Sequence, residues 1–485
     1  MTKSLVKNVV AKGTLNIFNI IVPLLIFPYI YRVLSPSTVG KIDYSFTLFT
    51  YFSLIGSLGI YNYGLREISR KRDDKQSVNS IYKNLFAIGL ISNVFVYILY
   101  LFFVYFFIDD LILKKIMYIQ GLSIISQVLY IEWMNEAHED FHFITIKTMI
   151  IRLISIGCIF LFVRNDKDYL VYVSITVITL FFNNIVSFVH IRRFVDISVS
   201  RLFRDLNMKP LIVPLLLILI LNNTNLLYTI ADKTMIGVYL KDSDVAYYTV
   251  GQKITEIVRI LFLSLVYVTI PKMSYYLENN YRVYKEDIRR LMRVTILIIA
   301  PVAFGLFALS DNIVILFSGA SYVKAIPAMR VFSLRILVLS TESIVYNQII
   351  FLHRKEKFLL MVNFLCGLLS VALNFIFLKD LTPAIAIFTT VMCEILFQII
   401  CYVYIKQNLK FSTGLFEFYS LKYLLLSMCF LPIVYFVKSF FTGPVFVILV
   451  SVLLCTFFYA VLLFILRDNM VLSLYDRLKL KIRSC

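Results

Sequence analysis

Fourteen apolar runs of about 20 residues each fill most of the sequence and limit what the chain can fold into. A helix rises about 1.5 Å per residue, so a run of this length crosses the hydrocarbon core of a bilayer. The runs lie near residues 14–34, 44–63, 81–108, 114–134, 143–163, 168–190, 211–231, 245–270, 291–317, 326–352, 358–378, 381–404, 420–438 and 443–466. Hydrophobic residues make up 60% of the chain and charged residues only 16%, which is unlike a soluble domain. The sequence therefore predicts an all-α polytopic membrane protein with about 14 transmembrane helices.

The formal net charge of +19 is carried mainly by short loops between these runs. Lys and Arg are concentrated in every second loop, including the segments 66–75, 192–209 and 272–293. Cytoplasmic loops carry such an excess, so the pattern places both termini in the cytoplasm. It also explains the charge without a nucleic acid partner. The three basic segments are expected to enforce topology and touch anionic phospholipids, or alternatively to recruit a phosphate-bearing lipid.

The sequence contains an internal repeat. Residues 115–163 align with residues 330–378 at an offset of 215, so that the segment 138–143 matches the segment 353–358. Earlier runs align at an offset of 206. Two six-helix lobes in parallel pseudo-repeat are therefore expected, both in the same orientation because six is even. The expected divisions are a first lobe, a second lobe, and two added transmembrane helices with a cytoplasmic tail: residues 1–205, 206–410 and 411–485.

Two charged residues lie well inside the tenth apolar run. Arg335 and Glu342 are seven residues apart, which places them on one face of a helix. A charge near the centre of a membrane helix costs roughly 2.5–3.5 kcal/mol, so this face should turn away from lipid. At the offset of 215 the matching residues are Gln120 and Gln127, so both lobes are polar at these positions. The pair either lines a polar lumen or forms a local ion pair that holds the helix in place.

The eighth run carries a second group of charges. Lys253, Glu256 and Arg259 are each three residues apart and form a stripe on one side of a helix. The stripe is interpreted either as a self-neutralising cluster that locks helices together or as a lumen-facing stripe of net positive charge. Further membrane-level carboxylates are interpreted as ion-binding groups or as packed, hydrogen-bonded residues: Asp43, Glu132 and Glu394.

No catalytic or metal-binding motif is evident. The segment 138–142 places two histidines four residues apart among carboxylates, but a solvated loop is favoured over a metal site. The chain lacks a Walker A motif, a GxSxG motif and a large loop with paired acids. We therefore expect neither an enzyme nor a bound cofactor or metal.

The N-terminal sequence resembles a known family. The resemblance is carried by residues 16–34 (NIFNIIVPLLIFPYIYRVL), Gly40, residues 59–68 (GIYNYGLREI) and residues 72–74 (RDD). These stretches look like the start of the oligosaccharide flippases of bacterial polysaccharide synthesis, the O-antigen or capsular repeat-unit translocases. That family belongs to the multidrug/oligosaccharidyl-lipid/polysaccharide exporter superfamily. The local match covers about the first 75 residues, and beyond it the resemblance is architectural.

This resemblance implies a flippase in the bacterial cytoplasmic (inner) membrane. Such a protein would move undecaprenyl-pyrophosphate-linked oligosaccharide from the cytoplasmic to the outer leaflet by alternating access, for capsule or O-antigen-type polysaccharide. The implied partners are this lipid-linked glycan, anionic phospholipids and other polysaccharide assembly proteins. No cofactor is implied, and coupling to a proton or sodium gradient is left open.

An anionic pyrophosphate requires a cationic lumen, and the resemblance implies one in this chain. Arg66 is expected at the end of the second span. The expected site residues are cations that line the lumen, and carboxylates that pair with them or bind a coupling ion: Arg32, Arg66, Lys253, Arg259 and Arg335 in the first set, and Asp43, Glu256 and Glu342 in the second.

Two alternatives remain open at this point. An ion-coupled multidrug or cation antiporter of the same superfamily would carry lumen carboxylates that outweigh the cations. A membrane-embedded polysaccharide polymerase would need a large outer loop with reactive residues, and every predicted outer loop is short.

Overall fold

The computed structural model describes residues 3–196, 206–223, 226–468 and 470. Over these ranges the chain is helical, without a β-strand. The α-helices are α1 (Lys3–Val33), α2 (Pro36–Ser57), α3 (Ile60–Lys71), α4 (Lys75–Phe107), α5 (Leu111–Gln127), α6 (Glu132–Ala137), α7 (Phe141–Phe162), α8 (Tyr169–His190), α9 (Lys209–Asn223), α10 (Leu226–Tyr239), α11 (Asp242–Asn279), α12 (Tyr281–Ala308), α13 (Ser310–Ser318), α14 (Ile326–Ile344), α15 (Glu356–Ile376), α16 (Pro383–Tyr404), α17 (Phe418–Met428), α18 (Phe430–Phe440) and α19 (Pro444–Ile465).

The helices follow the apolar runs of the sequence. Within the described ranges, 11 helical segments are long and apolar enough to cross a membrane. Helices α2 and α14 and the α9–α10 pair lie outside that set, and they occupy the second, tenth and seventh predicted runs. The prediction of an all-α polytopic membrane protein with about fourteen transmembrane segments is confirmed.

The second helix differs from its predicted bounds. The sequence predicts residues 44–63, whereas the helix spans Pro36–Ser57. It begins earlier because the Ser35 hydroxyl caps it and accepts a hydrogen bond from a backbone N–H of the first turn. It ends earlier because Leu58 and Gly59 have left-handed φ angles of 45° and 72°, which a right-handed helix cannot contain.

A separate helix, α3, follows this break and carries Arg66. The sequence predicted Arg66 at the end of the second span, and this prediction is wrong, because Arg66 lies on the separate helix α3. Ile68 is fully buried, whereas Arg66, Arg70 and Lys71 are exposed. The helix is thus amphipathic, with its apolar side on the protein and its charges turned outward.

The chain divides into two compact units, Met1–Ala246 and Tyr247–Cys485. In the first unit, a buried aromatic core that contains Tyr82 and Trp133 joins α3, α4 and α6. The lobe boundaries expected from the repeat, near residues 205 and 410, stay a prediction.

The same turn geometry occurs in both units, at positions that are 215 residues apart in the sequence. In the first unit the His138 Nδ1–H donates to the Met134 carbonyl at 2.9 Å, and Glu139 has a φ of 60°. In the second unit the His353 ring donates to the carbonyl four residues earlier at 2.7 Å, and Arg354 has a φ of 57°. The same ring-to-carbonyl bond is followed by the same left-handed residue in each unit. The repeat is therefore present in the backbone as well as in the sequence.

A hydrogen bond between helices also recurs. In the first unit the Asn184 amide of α8 donates to the Ser126 hydroxyl of α5 at 2.9 Å. In the second unit the Gln398 amide of α16 donates to the Thr341 hydroxyl of α14 at 2.8 Å. Ser126 and Thr341 are 215 residues apart. Polar bonds of this kind hold membrane helices together, because lipid offers their groups no alternative partner.

A buried carboxylate joins the C-terminal helices to α12 inside the second unit. Asp468 follows α19, and its side chain is 0% exposed. It accepts hydrogen bonds from Arg293 at 3.1 Å, from the Tyr423 hydroxyl at 2.9 Å and from Lys422. Since Arg293 lies on α12 and the other two donors on α17, this one carboxylate ties three helices together.

These contacts set the protonation state of Asp468. Burial acts to raise the pKa of this carboxyl, but Lys422, Tyr423 and Arg293 outweigh burial and hold the pKa below its ordinary value. A carboxyl whose pKa is lower in the folded than in the unfolded chain stabilises the fold above its unfolded pKa of about 3.9. That contribution is lost as the pH falls through the lower, folded pKa.

A second ion pair lies at the other end of the segment formed by α17 and α18. The Lys438 ammonium at the end of α18 donates to Asp311 Oδ1 at 2.6 Å and to the Ala308 carbonyl at 2.8 Å. Helices α17 and α18 are therefore attached at both ends to helices α12 and α13 of the unit.

We predict that Asp468→Asn destabilises the second unit by about 3 kcal/mol, because it leaves two partly buried cations with a neutral partner. Unfolding is followed by the reaction of buried thiols with a fluorogenic maleimide during heating, since Cys366, Cys393, Cys401 and Cys455 are buried in this unit. Asp380→Asn, at an exposed carboxyl, is the matched control. Equal melting temperatures for the two variants would contradict the role of Asp468 in joining these three helices.

Candidate functional site

A buried ion pair joins α14 to α16 in the second unit. Arg335 Nε lies 2.9 Å from Glu394 Oε2, and Arg335 Nη2 lies 2.5 Å from Glu394 Oε1. The two side chains are only 9% and 6% exposed. Two charges so far from water are tolerated because each neutralises the other through paired hydrogen bonds.

This pairing corrects one expectation. The sequence offered Glu342 as the ion-pair partner of Arg335, whereas the structure gives that place to Glu394. Seven residues separate Arg335 and Glu342 by about 10 Å along a helix axis, while a neighbouring helix can present a carboxylate directly. The role of Arg335 in substrate binding stays a prediction.

Glu342 lies two turns after Arg335 on α14. Its Oε2 is buried, and no residue of the described ranges donates a hydrogen bond to this atom. Glu342 also forms no direct ion pair there, although Glu394, Arg335 and Arg259 act on it electrostatically. It is therefore a carboxylate inside a charged cluster that has no direct cationic partner in this part of the chain.

The stripe on α11 is partly self-neutralising. Arg259 donates to both oxygens of Glu256, with Nε at 2.6 Å and Nη2 at 2.5 Å. These side chains are 32% and 41% exposed, so the pair is far more accessible than the Arg335–Glu394 pair. Lys253 is half-buried one turn earlier on the same helix.

In the described structure, the formal charges near the Arg335–Glu394 pair on α11, α14 and α16 sum to zero. The three expected cations are matched by three carboxylates: Lys253, Arg259 and Arg335 against Glu256, Glu342 and Glu394. The Arg259–Glu256 pair is the contact that mutual neutralisation would require, and the interpretation of the stripe as a lumen-facing surface stays a prediction. Glu394 is not among the residues that the sequence places in this group, because nothing in a linear pattern shows which helix lies opposite α14.

The first unit holds the other three expected residues on three different helices. Arg32 is exposed at the end of α1, where its Nη1 donates to the Pro28 carbonyl at 2.8 Å. Asp43 is half-buried on α2. Arg66 is exposed on α3, with its Nε 2.9 Å from Glu67 Oε1. Their part in substrate binding or ion coupling stays a prediction.

Arg152 is a membrane-level cation that the expected site did not include. It lies in the middle of α7, and its guanidinium donates to the side-chain carbonyl of Asn19 on α1. It forms no ion pair with a carboxylate in the described ranges. An arginine at this depth is costly unless it faces protein or water. Its central place in the fifth apolar run was the signal that could have identified it.

Glu132 is a packed residue. The Lys147 ammonium lies 2.9 Å from Glu132 Oε2 and 2.6 Å from the Ser187 hydroxyl. The Lys147 and Glu132 side chains are 2% and 10% exposed. This ion pair locks α6 to α7 and, through Ser187, to α8.

The histidine segment is occupied by structural contacts. His138 stacks on Phe194 with ring centroids 3.9 Å apart, and Asp140 Oδ2 lies 2.8 Å from His190 Nε2. Within the described ranges, no group of three or more His, Cys, Asp or Glu side chains is placed to hold a metal ion.

The sequence matches the profile of a protein family described as polysaccharide biosynthesis protein. The match covers residues 5–277, which is more than half of the chain. The chain belongs to this polysaccharide biosynthesis family. No curated protein sequence matches it.

Solved structures share the fold. The lipid II flippase MurJ in an inward closed conformation is similar, with a TM-score of 0.74 and 16% identity over 96% of this chain and 100% of MurJ. An outward-facing multidrug resistance MATE transporter of the MOP superfamily has a TM-score of 0.58 and 14% identity, covering 82% of this chain and 94% of that one. A MOP superfamily transporter from Pyrococcus furiosus, described as having a binding pocket of reverse polarity, has a TM-score of 0.52 and 14% identity over the same shares. At these identities the likeness establishes the fold, and the resemblance seen in the sequence is confirmed at the level of family and fold.

We predict that Glu394→Gln destabilises the second unit by about 3–5 kcal/mol, because it leaves a buried arginine without its counter-charge. The double variant Arg335→Gln/Glu394→Gln should recover most of that loss. Glu256→Gln, in the exposed pair, should cost about 1 kcal/mol or less. The thiol-labelling melt described above measures all three, and a double variant no more stable than Glu394→Gln would refute the pairing.

Proposed function

We propose that this protein is a flippase for a lipid-linked oligosaccharide in the bacterial cytoplasmic membrane, with both termini in the cytoplasm. It would carry an undecaprenyl-pyrophosphate-linked repeat unit from the cytoplasmic to the outer leaflet for capsule or O-antigen-type polysaccharide. The observation that carries this proposal is a fold similar to that of the lipid II flippase MurJ over 96% of the chain. Membership in the polysaccharide biosynthesis family supports the glycan part.

The chemistry of such a substrate explains why this fold contains membrane-level cations. A pyrophosphate and its sugars cannot cross the hydrocarbon core unless protein groups replace their water. Arginine suits phosphate because its planar N–H groups can form two hydrogen bonds to one phosphate. Arg259, which is one-third exposed, and Arg152, which has no carboxylate partner in the described ranges, are the arginines best placed for this role. Arg335, held by Glu394, would instead keep α14 in place.

Transport against a gradient would draw on an ion. Glu342 is the candidate coupling group, because its buried Oε2 receives no hydrogen bond from the described residues. Protonation or a bound sodium ion would remove the penalty of that buried charge. A change in the charge of Glu342 would alter its electrostatic interactions with Arg259, Arg335 and Glu394.

The second candidate is an ion-coupled multidrug or cation antiporter. It is favoured by the similar folds of MATE transporters and by the balanced charges on α11, α14 and α16. The likeness to these transporters covers less of the chain and has a lower TM-score than the likeness to MurJ. The two candidates differ in cargo, so an assay of the cargo separates them.

We predict that deletion of the gene traps lipid-linked repeat units on the cytoplasmic leaflet. The measurement is extraction of the lipid fraction, combined with a membrane-impermeant glycan label on intact cells and on inverted vesicles. The wild-type gene on a plasmid is the control and should restore export. Repeat units that reach the outer leaflet normally in the deletion strain would exclude the flippase and leave the antiporter.

We predict that Glu342→Gln lowers gradient-driven transport about tenfold while substrate binding is kept. Proteoliposomes with an imposed proton or sodium gradient and a labelled lipid-linked oligosaccharide provide the measurement. Glu278→Gln, at an exposed carboxyl near the end of α11, is the matched control. Equal gradient dependence in the two variants would remove Glu342 from the coupling step.

A further inference from the structure

A cationic pocket lies in the first unit, where the start of α4 meets the turn that follows α8. It is a shallow pocket, open on its outer side, with a volume of about 470 Å³. Its lining includes three cationic side chains and one carboxylate: Lys75, Arg192, Arg193 and Asp196. None of the residues expected to line the lumen belongs to this pocket.

The backbone that carries the two arginines is anchored on both sides. Ile191 and Val195 are 0% and 4% exposed and belong to the buried core of the unit. The Val195 N–H donates to the Ile191 carbonyl at 3.1 Å. The Asn79 side chain on α4 accepts a hydrogen bond from the Asp196 N–H, also at 3.1 Å. Arg192 and Arg193 therefore project from a fixed turn that is bonded to α4.

The three cations of this pocket have no carboxylate partner in the part of the chain that the structure describes. Within the described ranges Lys75, Arg192 and Arg193 form no ion pair. Two other exposed arginines of the same unit do form ion pairs: Arg72 contacts Glu139 at 2.7 Å and Arg70 contacts Glu67 at 3.6 Å. The first N–H groups of α4 are already satisfied by its capping carboxylate. The attraction for an anion therefore comes from the three cationic side chains that line the pocket rather than from the helix terminus.

The position along the helices indicates the depth of the pocket. Lys75 is six residues before the apolar run that starts near residue 81, and Arg192 is two residues after the run that ends near residue 190. At about 1.5 Å per residue both lie within about 10 Å of the hydrocarbon boundary, which is the depth of lipid headgroups.

We propose that this pocket binds a phosphate group carried by a membrane lipid. Two adjacent arginines and a lysine match the charge and the hydrogen-bonding geometry of phosphate. The phosphate can come from an anionic phospholipid or from the pyrophosphate of the transported lipid. The second source rests on the proposed function; the first does not.

The test is native mass spectrometry of the full-length protein released from detergent micelles. Phosphatidylglycerol and undecaprenyl pyrophosphate are added in separate titrations, with phosphatidylcholine as the zwitterionic reference. Arg192→Gln/Arg193→Gln should weaken binding of at least one of the two anionic lipids about tenfold. The control Arg164→Gln/Arg330→Gln removes two exposed arginines that lie outside the three basic segments and should leave binding unchanged. Arg192→Lys/Arg193→Lys keeps the charge and should retain most of the binding.

Each outcome decides something. Weakened binding of phosphatidylglycerol alone makes the pocket a phospholipid site, and weakened binding of undecaprenyl pyrophosphate makes it a capture site for the transported lipid. Equal affinities of the glutamine variant and the wild type for both lipids overturn the proposal, as does an equal loss in the Arg164/Arg330 control. If the pocket binds phosphatidylglycerol while the deletion strain traps no lipid-linked glycan, the proposed function fails and the pocket stands.

Discussion

The need to neutralise charge away from water shapes the interior of this protein. The Arg335–Glu394 and Lys147–Glu132 pairs each join neighbouring helices, with side chains between 2% and 10% exposed. Such pairs add little net stability compared with apolar packing, but removing one member leaves a charge that nothing else can satisfy. They therefore specify which helices are neighbours, while the many exposed apolar side chains can face lipid without further constraint.

Matching positions of the internal repeat carry neutral side chains in the first unit and ionisable side chains in the second. In the first unit, position 120 is a glutamine whose Oε1 accepts a hydrogen bond from the Ser45 hydroxyl at 2.5 Å. The matching position in the second unit is Arg335, which is paired with Glu394. Likewise Gln127 accepts a bond from Ser53 at 3.3 Å, while Glu342 takes its place in the second unit. These two positions therefore carry neutral hydrogen-bonding side chains in the first unit and ionisable side chains in the second.

The exposed cations differ from the cations of the closed clusters in their partners. Arg192 and Arg193 lie on a turn that buried residues anchor, and they have no ion-pair partner in the described ranges. Asp468, in contrast, accepts hydrogen bonds from two cations and a tyrosine in a closed cluster. The closed clusters hold helices together. A cationic pocket at headgroup depth can instead exchange its counter-ion, because water and lipid phosphate both reach it.

The sequence by itself determined the number of membrane segments, the all-helical class and the internal repeat, because the length of an apolar run and the period of a helix are local properties of the chain. It also identified Arg335, Glu342 and the Lys253–Arg259 stripe as costly charges. Only the tertiary structure decided that Glu394 neutralises Arg335, that Glu342 has no direct partner in the described part of the chain, and that α2 ends at a left-handed turn before Arg66. These outcomes depend on which helix lies opposite which. That choice is made by contacts between residues far apart in the chain, which a linear pattern does not contain.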